Sequence, residues 1–197
     1  TLRWALRRSY PRVIPFEVSG TIVESSGYLS VNDPYVTIAG ETAPSPGITL
    51  RGVPIIVNDH HVIMRHLRVR VGDEHGGTPD GISMWPNADS HDMIVDHCSV
   101  SWAIDENVSV QAGEYGAYNV TFSNMIISEA LNESYHSDGA HSMGMLLGGS
   151  ATGFAEDIAI VNNLFAHVRD RTPRAGGGAT RFVVANNILY NVRIHRI

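Results

Sequence analysis

Residues 118–128 carry the sequence YNVTFSNMIIS, in which apolar residues stand on both sides of Asn124. The same pattern recurs in DIAIVNNLFAHV at residues 157–168 and in RFVVANNILYNV at residues 181–192. Each segment is short, rich in β-forming residues and bounded by Gly, Asn, Asp, Pro or Ser, which is typical of strands joined by turns. Helical periodicity is confined to one short stretch, Leu2 to Arg8, so the chain is predicted to be all-β.

The polar residue at the centre of each segment recurs at a long period. Taken in order, these markers stand 31, 27, 39 and 24 residues apart, at His66, His97, Asn124, Asn163 and Asn187. A recurring unit of this length indicates one coil per repeat, whereas a hairpin sandwich needs turns about every 8–12 residues. The period therefore predicts a parallel β-helix, with His or Asn ladders that satisfy backbone groups inside the turns.

Length and composition limit the function classes. The chain has 197 residues, 43% of them hydrophobic, and a formal net charge of −6, so we expect neither nucleic acid nor membrane as a partner. Cys98 is the single cysteine, which excludes an intrachain disulfide. We interpret residues 1–197 as one β-helix domain, either a trimmed chain or a fragment lacking terminal coils.

Seven motifs, taken in order, carry a family resemblance. They are PRVIPFEVSGTI (11–22), VTIAGETAPSPGITL (36–50), DGISM (80–84), VDHCSVSWAIDENVSV (95–110), HSMGMLLGG (141–149), RDRTPR (169–174) and VVANNILYN (183–191). Together they resemble bacterial pectate lyases. The resemblance implies a right-handed, single-stranded parallel β-helix and Ca²⁺-assisted β-elimination of α-1,4-polygalacturonate to 4,5-unsaturated products. An insoluble polymer substrate also implies a secreted protein, although the sequence shows no signal peptide.

Two carboxylates are candidates for binding the metal. Asp80 and Asp105 are 25 residues apart, close to one coil, so stacking would bring them together on one face. Unpaired carboxylates at that distance repel each other, and a hard divalent cation would relieve the repulsion. Spacing alone leaves open that both are surface turn residues; the resemblance favours Ca²⁺.

Strand alternation extends this candidate metal site. If Val108 and Val110 point inward, then Asp105, Asn107, Ser109 and Gln111 share the outer face. Glu106 breaks the alternation and is expected either to cap a bend or to reach the metal. The expected ligand set is Asp80, Asp105, Glu106 and Ser109. This set carries little negative charge for a Ca²⁺ site, so we expect the substrate to complete the coordination of the ion.

An arginine cluster follows the metal candidates. The resemblance implies that Arg171, two residues before a proline, is the catalytic base, although a guanidinium normally stays protonated. Arg169 shares a face with Arg171 in an extended segment, and we expect it to bind substrate together with Arg174 and His141. The alternative is a solvated basic edge, but six of the fourteen arginines follow residue 168, as binding of a polyanion would require.

Other patterns are weaker. Ten histidines include the adjacent pair His60 and His61, but the chain has no H-E-x-x-H or Cys-rich motif, so the sequence does not indicate zinc. Cys98 is expected in the core rather than as a nucleophile, and Trp85 in a structural role. Two alternatives to the lyase stay open: a polygalacturonase-like β-helix hydrolase and a non-catalytic pectin-binding β-helix.

Overall fold

Parallel strands stack into a solenoid in the computed structural model, which describes residues 1–85, 90–111, 115–149 and 153–193. Within these ranges, helix is limited to Leu2–Leu6 and a 3₁₀ turn at Gly40–Thr42. The prediction of an all-β parallel β-helix is thus confirmed. None of the described helices has the length and apolarity needed to span a membrane. The domain limits 1–197 stay a prediction, because residues 194–197 lie outside the described ranges.

The coils build three sheets, each coil giving one strand to each sheet in turn. The strands of the first sheet are Arg12–Pro15, Val36–Ala39, Val62–Arg65, Ser90–Asp96, Ala117–Ser123, Ala155–Val161 and Ala179–Ala185. Those of the second are Gly20–Val23, Ile48–Arg51, Leu67–Arg70, Ser99–Ser101, Ile126–Ser128, Leu164–Ala166 and Ile188–Tyr190. Those of the third are Leu29–Val31, Ile55–Val57, Ile82–Met84, Glu106–Val110, Met143–Leu147 and Arg174–Ala175.

The core lies inside the solenoid, where equivalent residues of successive coils stack in columns. One column of the first sheet runs through Ile38, Met64, Val95, Phe122 and Ile160, and all five side chains are buried. Because the side chains of a strand alternate between two faces, every second residue of each strand enters this core. Burial of these columns is the main stabilising contribution to the fold.

The polar markers prove to be of two kinds. The corner between the first and second sheets is formed by residues with φ between 51° and 60°: His66, His97, Asn124, Asn162 and Asn186. The sequence prediction was wrong by one residue in the two Asn-Asn pairs, because it treated Asn163 and Asn187 as equivalent to Asn124. The first Asn of each pair takes the left-handed corner conformation that Asn tolerates.

The second Asn of each pair points into the turn and satisfies backbone groups. Asn163 Oδ1 accepts from the Met125 N–H at 2.8 Å, and Asn163 Nδ2 donates to Asn187 Oδ1 at 3.0 Å. Asn187 Nδ2 in turn donates to the Ile160 carbonyl at 2.8 Å. These two residues form a short internal ladder, as expected for Asn in the turns, whereas His66 and His97 stack ring on ring at 4.8 Å.

Candidate functional site

The candidate residues enter the third sheet from the same side. Each stands at or just before the start of a third-sheet strand: Asp80 before Ile82–Met84, Asp105 and Glu106 at Glu106–Val110, His141 before Met143–Leu147, and Arg171 before Arg174–Ala175. Because these strands are parallel neighbours, their entry segments stack above one another. Residues from four different coils therefore meet at one edge of this sheet.

A groove runs along the outer face of this sheet, and two adjoining cavities of about 710 and 320 Å³ make it up. Asp105 and Gln111 line both cavities and join them. The first cavity is also lined by Asp80, Ser83 and Trp85, and the second by Glu106, His136, His141 and Arg171. Both cavities are open to solvent, and together they extend from Ser83 and Trp85 to His141 and Arg171.

Three carboxylates converge at the centre of the groove. One oxygen from each of Asp80, Asp105 and Glu106 lies within 4.8 Å of the others. The pairing of Ile82 with Val108 sets Asp80 level with Glu106 rather than with Asp105, which corrects the register that the 25-residue spacing indicated. The Glu106 N–H accordingly donates to Asp80 Oδ1 at 3.1 Å.

Asp80 sits in a setting that disfavours its charge. Burial raises the pKa of its carboxyl to about 6, with a further upward contribution from the neighbouring Asp105. Hydrogen bonds from Ser109 Oγ at 2.5 Å and Gln111 Nε2 at 3.5 Å act in the opposite direction. The cluster of Asp80, Asp105 and Glu106 therefore has an excess of negative charge.

The strand Glu106–Val110 follows the expected alternation only in part. Val108 and Val110 are fully buried in the core, and Ser109 faces Asp80, as predicted. The expectation that Asn107 shares the outer face is wrong. Its side chain is buried, accepts from the Ala103 N–H at 3.3 Å and donates to the Ser128 carbonyl at 2.9 Å, because the chain bends where it enters this strand.

Arg171 contacts the carboxylate cluster from a position two coils farther along the chain than Asp105 and Glu106. Its guanidinium forms an ion pair with the buried Glu106 Oε1, and Arg171 Nη1 lies 3.9 Å from Asp105 Oδ1. Burial lowers the pKa of Arg171, with help from the nearby Arg174, while Asp105 and Asp80 oppose the shift. This is the direction that a guanidinium needs in order to accept a proton.

The backbone at Arg171 is left-handed and lies at an irregularity in the strand pairing. Its φ is 61°, and the pairing with the previous strand shifts by one residue between Met143–Asp170 and Leu146–Arg174. Such a bulge re-aims a side chain. A Cβ added at Gly144 would stand 2.5 Å from the Arg171 carbonyl oxygen, so glycine is required there for the close approach.

Two histidines that line the groove, His136 and His141, contact Asp105. His141 Nε2 lies 2.6 Å from Asp105 Oδ1, and His136 Nε2 lies 3.6 Å from Asp105 Oδ2. The two rings stack with centroids 3.7 Å apart. His141, expected as a substrate contact, lines the groove with a buried ring that contacts Asp105; its contact with substrate stays a prediction.

The two remaining arginine candidates, Arg169 and Arg174, lie in different surroundings. Arg174 is exposed on the outer face, in the register column that passes through Ser83, Ser109 and Leu146. Arg169 does not line either groove cavity; its guanidinium donates to the Ala140 carbonyl, just before His141. The shared face expected for Arg169 and Arg171 is lost because the chain does not stay extended at Arg171.

Sequence reasoning missed or misjudged several residues. His136 lines the groove and was missed, although alignment of the entries to the third sheet would have indicated its loop; Gln111 lines the groove on the outer face, where strand alternation placed it. Trp85, expected to be structural, is 39% exposed in the groove wall with its ring 6.2 Å from that of Tyr28. Cys98 is buried as predicted, and burial raises the pKa of its thiol to about 12, as is typical of a structural cysteine rather than a nucleophile.

The donor set of the groove fits a hard divalent cation. Carboxylate, hydroxyl and amide oxygens of Asp80, Asp105, Glu106, Ser109 and Gln111 are the ligand types that Ca²⁺ prefers. The raised pKa of Asp80, which burial and the neighbouring Asp105 cause, indicates negative charge that a cation would offset. Ca²⁺ takes about 6–8 oxygens, so water or a ligand would supply the rest.

Fold and groove together define a class: a parallel β-helix protein with carboxylates and an arginine in an open surface groove. No protein-family model matches the chain. Curated fungal proteins do match it, and each is named a probable pectate lyase C.

Three of these relatives illustrate the similarity. The chain is 33% identical to the Aspergillus flavus protein over 184 residues, 34% to the Aspergillus terreus protein over 181, and 34% to the Emericella nidulans protein over 185. Each alignment covers 91% of this chain, but the chain spans only 38% of the length of each relative. The resemblance to the pectate lyase family is thus confirmed, with fungal rather than bacterial relatives.

Proposed function

We propose that the protein is a pectate lyase that cleaves α-1,4-polygalacturonate by Ca²⁺-assisted β-elimination. The observation that carries the proposal is the contact of Arg171 with Asp105 and Glu106, two members of the carboxylate cluster that Asp80 completes, in an open surface groove. The names of the fungal relatives support the same reaction class.

Asp80, Asp105 and Glu106 would hold the cation, with Ser109 and Gln111 beside them. When bound, Ca²⁺ would stabilise the negative charge that develops on the substrate carboxylate as the C5 proton leaves. His141 and His136 fix the orientation of Asp105. Ser109 does the same for Asp80 through its hydroxyl.

Arg171 is the proposed base. Its lowered pKa favours transient loss of a proton, and release from Glu106 would leave the guanidinium facing substrate. Arg171, having lost a proton to solvent, would take the C5 proton, and the electron pair of the C5–H bond would form the C4–C5 double bond as the C4–O4 bond breaks. The departing O4 would take a proton from water and leave as a hydroxyl of the released chain. Arg174, exposed two strands from Ser109 on the same face, would pair with a neighbouring uronate carboxylate.

The proposal extends to location and partners. Pectin is an insoluble extracellular polymer, so we propose a secreted protein whose partner is polygalacturonate. Trp85 and Tyr28 lie in the first cavity and offer aromatic faces to sugar rings there.

Ultraviolet absorbance of unsaturated uronate tests the reaction class. Polygalacturonate should yield absorbing product with Ca²⁺ and none with a chelator, and Asp80→Ala and Asp105→Ala should each remove the Ca²⁺-dependent rate. Asp96→Ala, at a corner outside the groove, serves as the matched control and should keep the rate. Reducing ends without absorbance would indicate a hydrolase, and binding without either product would indicate a binding module; both would overturn the proposal.

A further inference from the structure

A second cluster of metal-binding side chains lies at the corner that leads into the first sheet. His60 and His61 directly precede the strand Val62–Arg65, and His91 stands in the next strand of that sheet. One ring nitrogen of each lies within 4.8 Å of the other two, and none of the three lines the groove. We propose that this corner binds a divalent transition-metal ion, with Zn²⁺ the fitting example.

Backbone conformation brings the adjacent histidines together. Consecutive residues of a regular strand point to opposite faces, but His61 has φ 55° and turns the chain. His60 Nδ1 consequently lies 2.7 Å from His61 Nδ1. The third ring, His91, stacks on His60 with centroids 4.5 Å apart.

The nitrogen separations suit a tetrahedral ion. Zn–N bonds of about 2.0–2.1 Å require ligand nitrogens about 3.3 Å apart. The observed range extends from 2.7 Å between His60 and His61 to a limit of 4.8 Å across the cluster, so small ring rotations reach that value. His61 is exposed, which leaves room for water as a fourth ligand.

A carboxylate lies near one ring nitrogen of each histidine, as is usual for the ring nitrogen of a metal-binding histidine that does not bind the metal itself. His60 Nε2 lies 3.5 Å from Asp59 Oδ1, and His61 Nε2 lies 3.7 Å from Asp92 Oδ2. The same Asp92 Oδ2 lies 2.8 Å from His91 Nδ1. With the Nε2 atoms of His60 and His61 facing carboxylates, their Nδ1 atoms are directed toward each other.

Ring stacking alone does not explain the cluster. The next corner of the solenoid also stacks two histidines, His66 and His97, at 4.8 Å, and His97 Nδ1 likewise lies 2.7 Å from a carboxylate, that of Asp96. Among the described residues, that corner is not one of the groups able to hold a metal. The two corners therefore form a matched pair that differs in the third imidazole.

The ligand type separates this site from the groove. Imidazole nitrogens prefer Zn²⁺, Co²⁺ or Cu²⁺, whereas Ca²⁺ prefers oxygens. Within the part of the chain that the structure describes, one other group contains histidines, Asp105 with His136 and His141, and its histidines can be removed from the measurement. The experiment therefore uses the full chain carrying His136→Gln and His141→Gln as its background.

Zn²⁺ competition against a chromophoric chelator and the visible spectrum of bound Co²⁺ test the proposal. The background protein should bind one Zn²⁺, give a tetrahedral Co²⁺ spectrum, and keep both in excess Ca²⁺. His61→Gln should weaken Zn²⁺ binding by about tenfold or more, and Asp92→Asn by about 10–100-fold.

The matched control is His66→Gln with His97→Gln, which should leave Zn²⁺ affinity and the Co²⁺ spectrum unchanged. Circular dichroism of every variant ensures that lost binding is not lost fold. Equal Zn²⁺ affinity in His61→Gln and the background protein, or loss of binding in the control, would overturn the proposal. Because no readout is catalytic, this outcome is independent of the proposed lyase activity.

Discussion

At the scale of single residues, Arg171 and Arg174 have different surroundings although both belong to RDRTPR. Arg171 is partly buried and ion-paired with Glu106, whereas Arg174 is exposed. Burial lowers the pKa of Arg171. A group that reacts and a group that only binds substrate should respond differently to the same substitution, because Lys keeps the charge and loses the planar fork.

We expect Arg171→Lys to lower kcat by about 10²–10⁴-fold, the usual effect of removing a general base. Arg174→Lys should instead raise KM more than it lowers kcat, as for a binding contact. Steady-state kinetics on polygalacturonate at saturating Ca²⁺ measure both. Small and equal effects at the two positions would contradict the roles assigned here.

The raised pKa of Asp80 predicts that the stability of the fold depends on pH. Its pKa is raised from 3.8 to about 6 in the folded chain, chiefly by burial, so between about pH 4 and 6 the folded state binds more protons than the unfolded state. The free energy of unfolding therefore falls as pH rises through that window. The shift of about two units sets an upper limit of about 3 kcal/mol on this loss.

Urea unfolding between pH 4.5 and 7, in chelator, should show this loss in the wild type and a flatter profile in Asp80→Asn. Asp96→Asn is the matched control. Burial pushes the pKa of Asp96 upward, but hydrogen bonds from Ser123, Asn124 and His97 outweigh it and hold the pKa at about 2, below this window. An Asp80→Asn profile as steep as that of the wild type would refute the assignment.

At the scale of the structural element, the corner between the first and second sheets explains the polar markers. The residue at the corner has a left-handed backbone, and Asn accepts that conformation at lower cost than most residues. The residue after it points inward, where Asn163 and Asn187 hold backbone groups of neighbouring coils. One corner thus uses Asn for two separate physical reasons.

Asn163→Ala should lower the free energy of unfolding by about 1–3 kcal/mol, since it leaves the buried Met125 N–H without its acceptor. Asn132→Ala, at an exposed loop position, should change it by less than about 0.5 kcal/mol. Denaturant midpoints at constant slope measure both values. Equal losses in the two variants would mean that the internal ladder contributes nothing specific.

The repeats were enough to predict the fold, but not the exact register. Apolar periodicity identified the strands because burial on one face is a local property of the sequence. The pairing of Asp80 with Glu106 depends on loop lengths in two coils, which residue spacing approximates only to within one position. The bulge at Arg171 and the contact of His141 with Asp105 arise from packing between neighbouring coils whose residues are about 30 positions apart in sequence, so no local pattern indicates them.

At the scale of the whole molecule, charge opposes the proposed reaction. The chain carries a formal net charge of −6, and polygalacturonate is a polyanion, so the two repel each other at long range. The groove does not reverse this, because Arg171 is already paired with Glu106 and Asp105 lies 3.9 Å away. Binding then requires added positive charge at the carboxylate cluster.

Ca²⁺ should therefore raise the affinity for polygalacturonate as well as the rate. In the slow variant Arg171→Lys, affinity electrophoresis should show strong retardation by polygalacturonate with Ca²⁺ and little in chelator. NaCl at equal ionic strength should not replace Ca²⁺, since screening weakens repulsion without bridging carboxylates. Asp80→Ala should lose the Ca²⁺-dependent part of the retardation. Tight binding in chelator would contradict this account, because it would require a basic surface outside the groove.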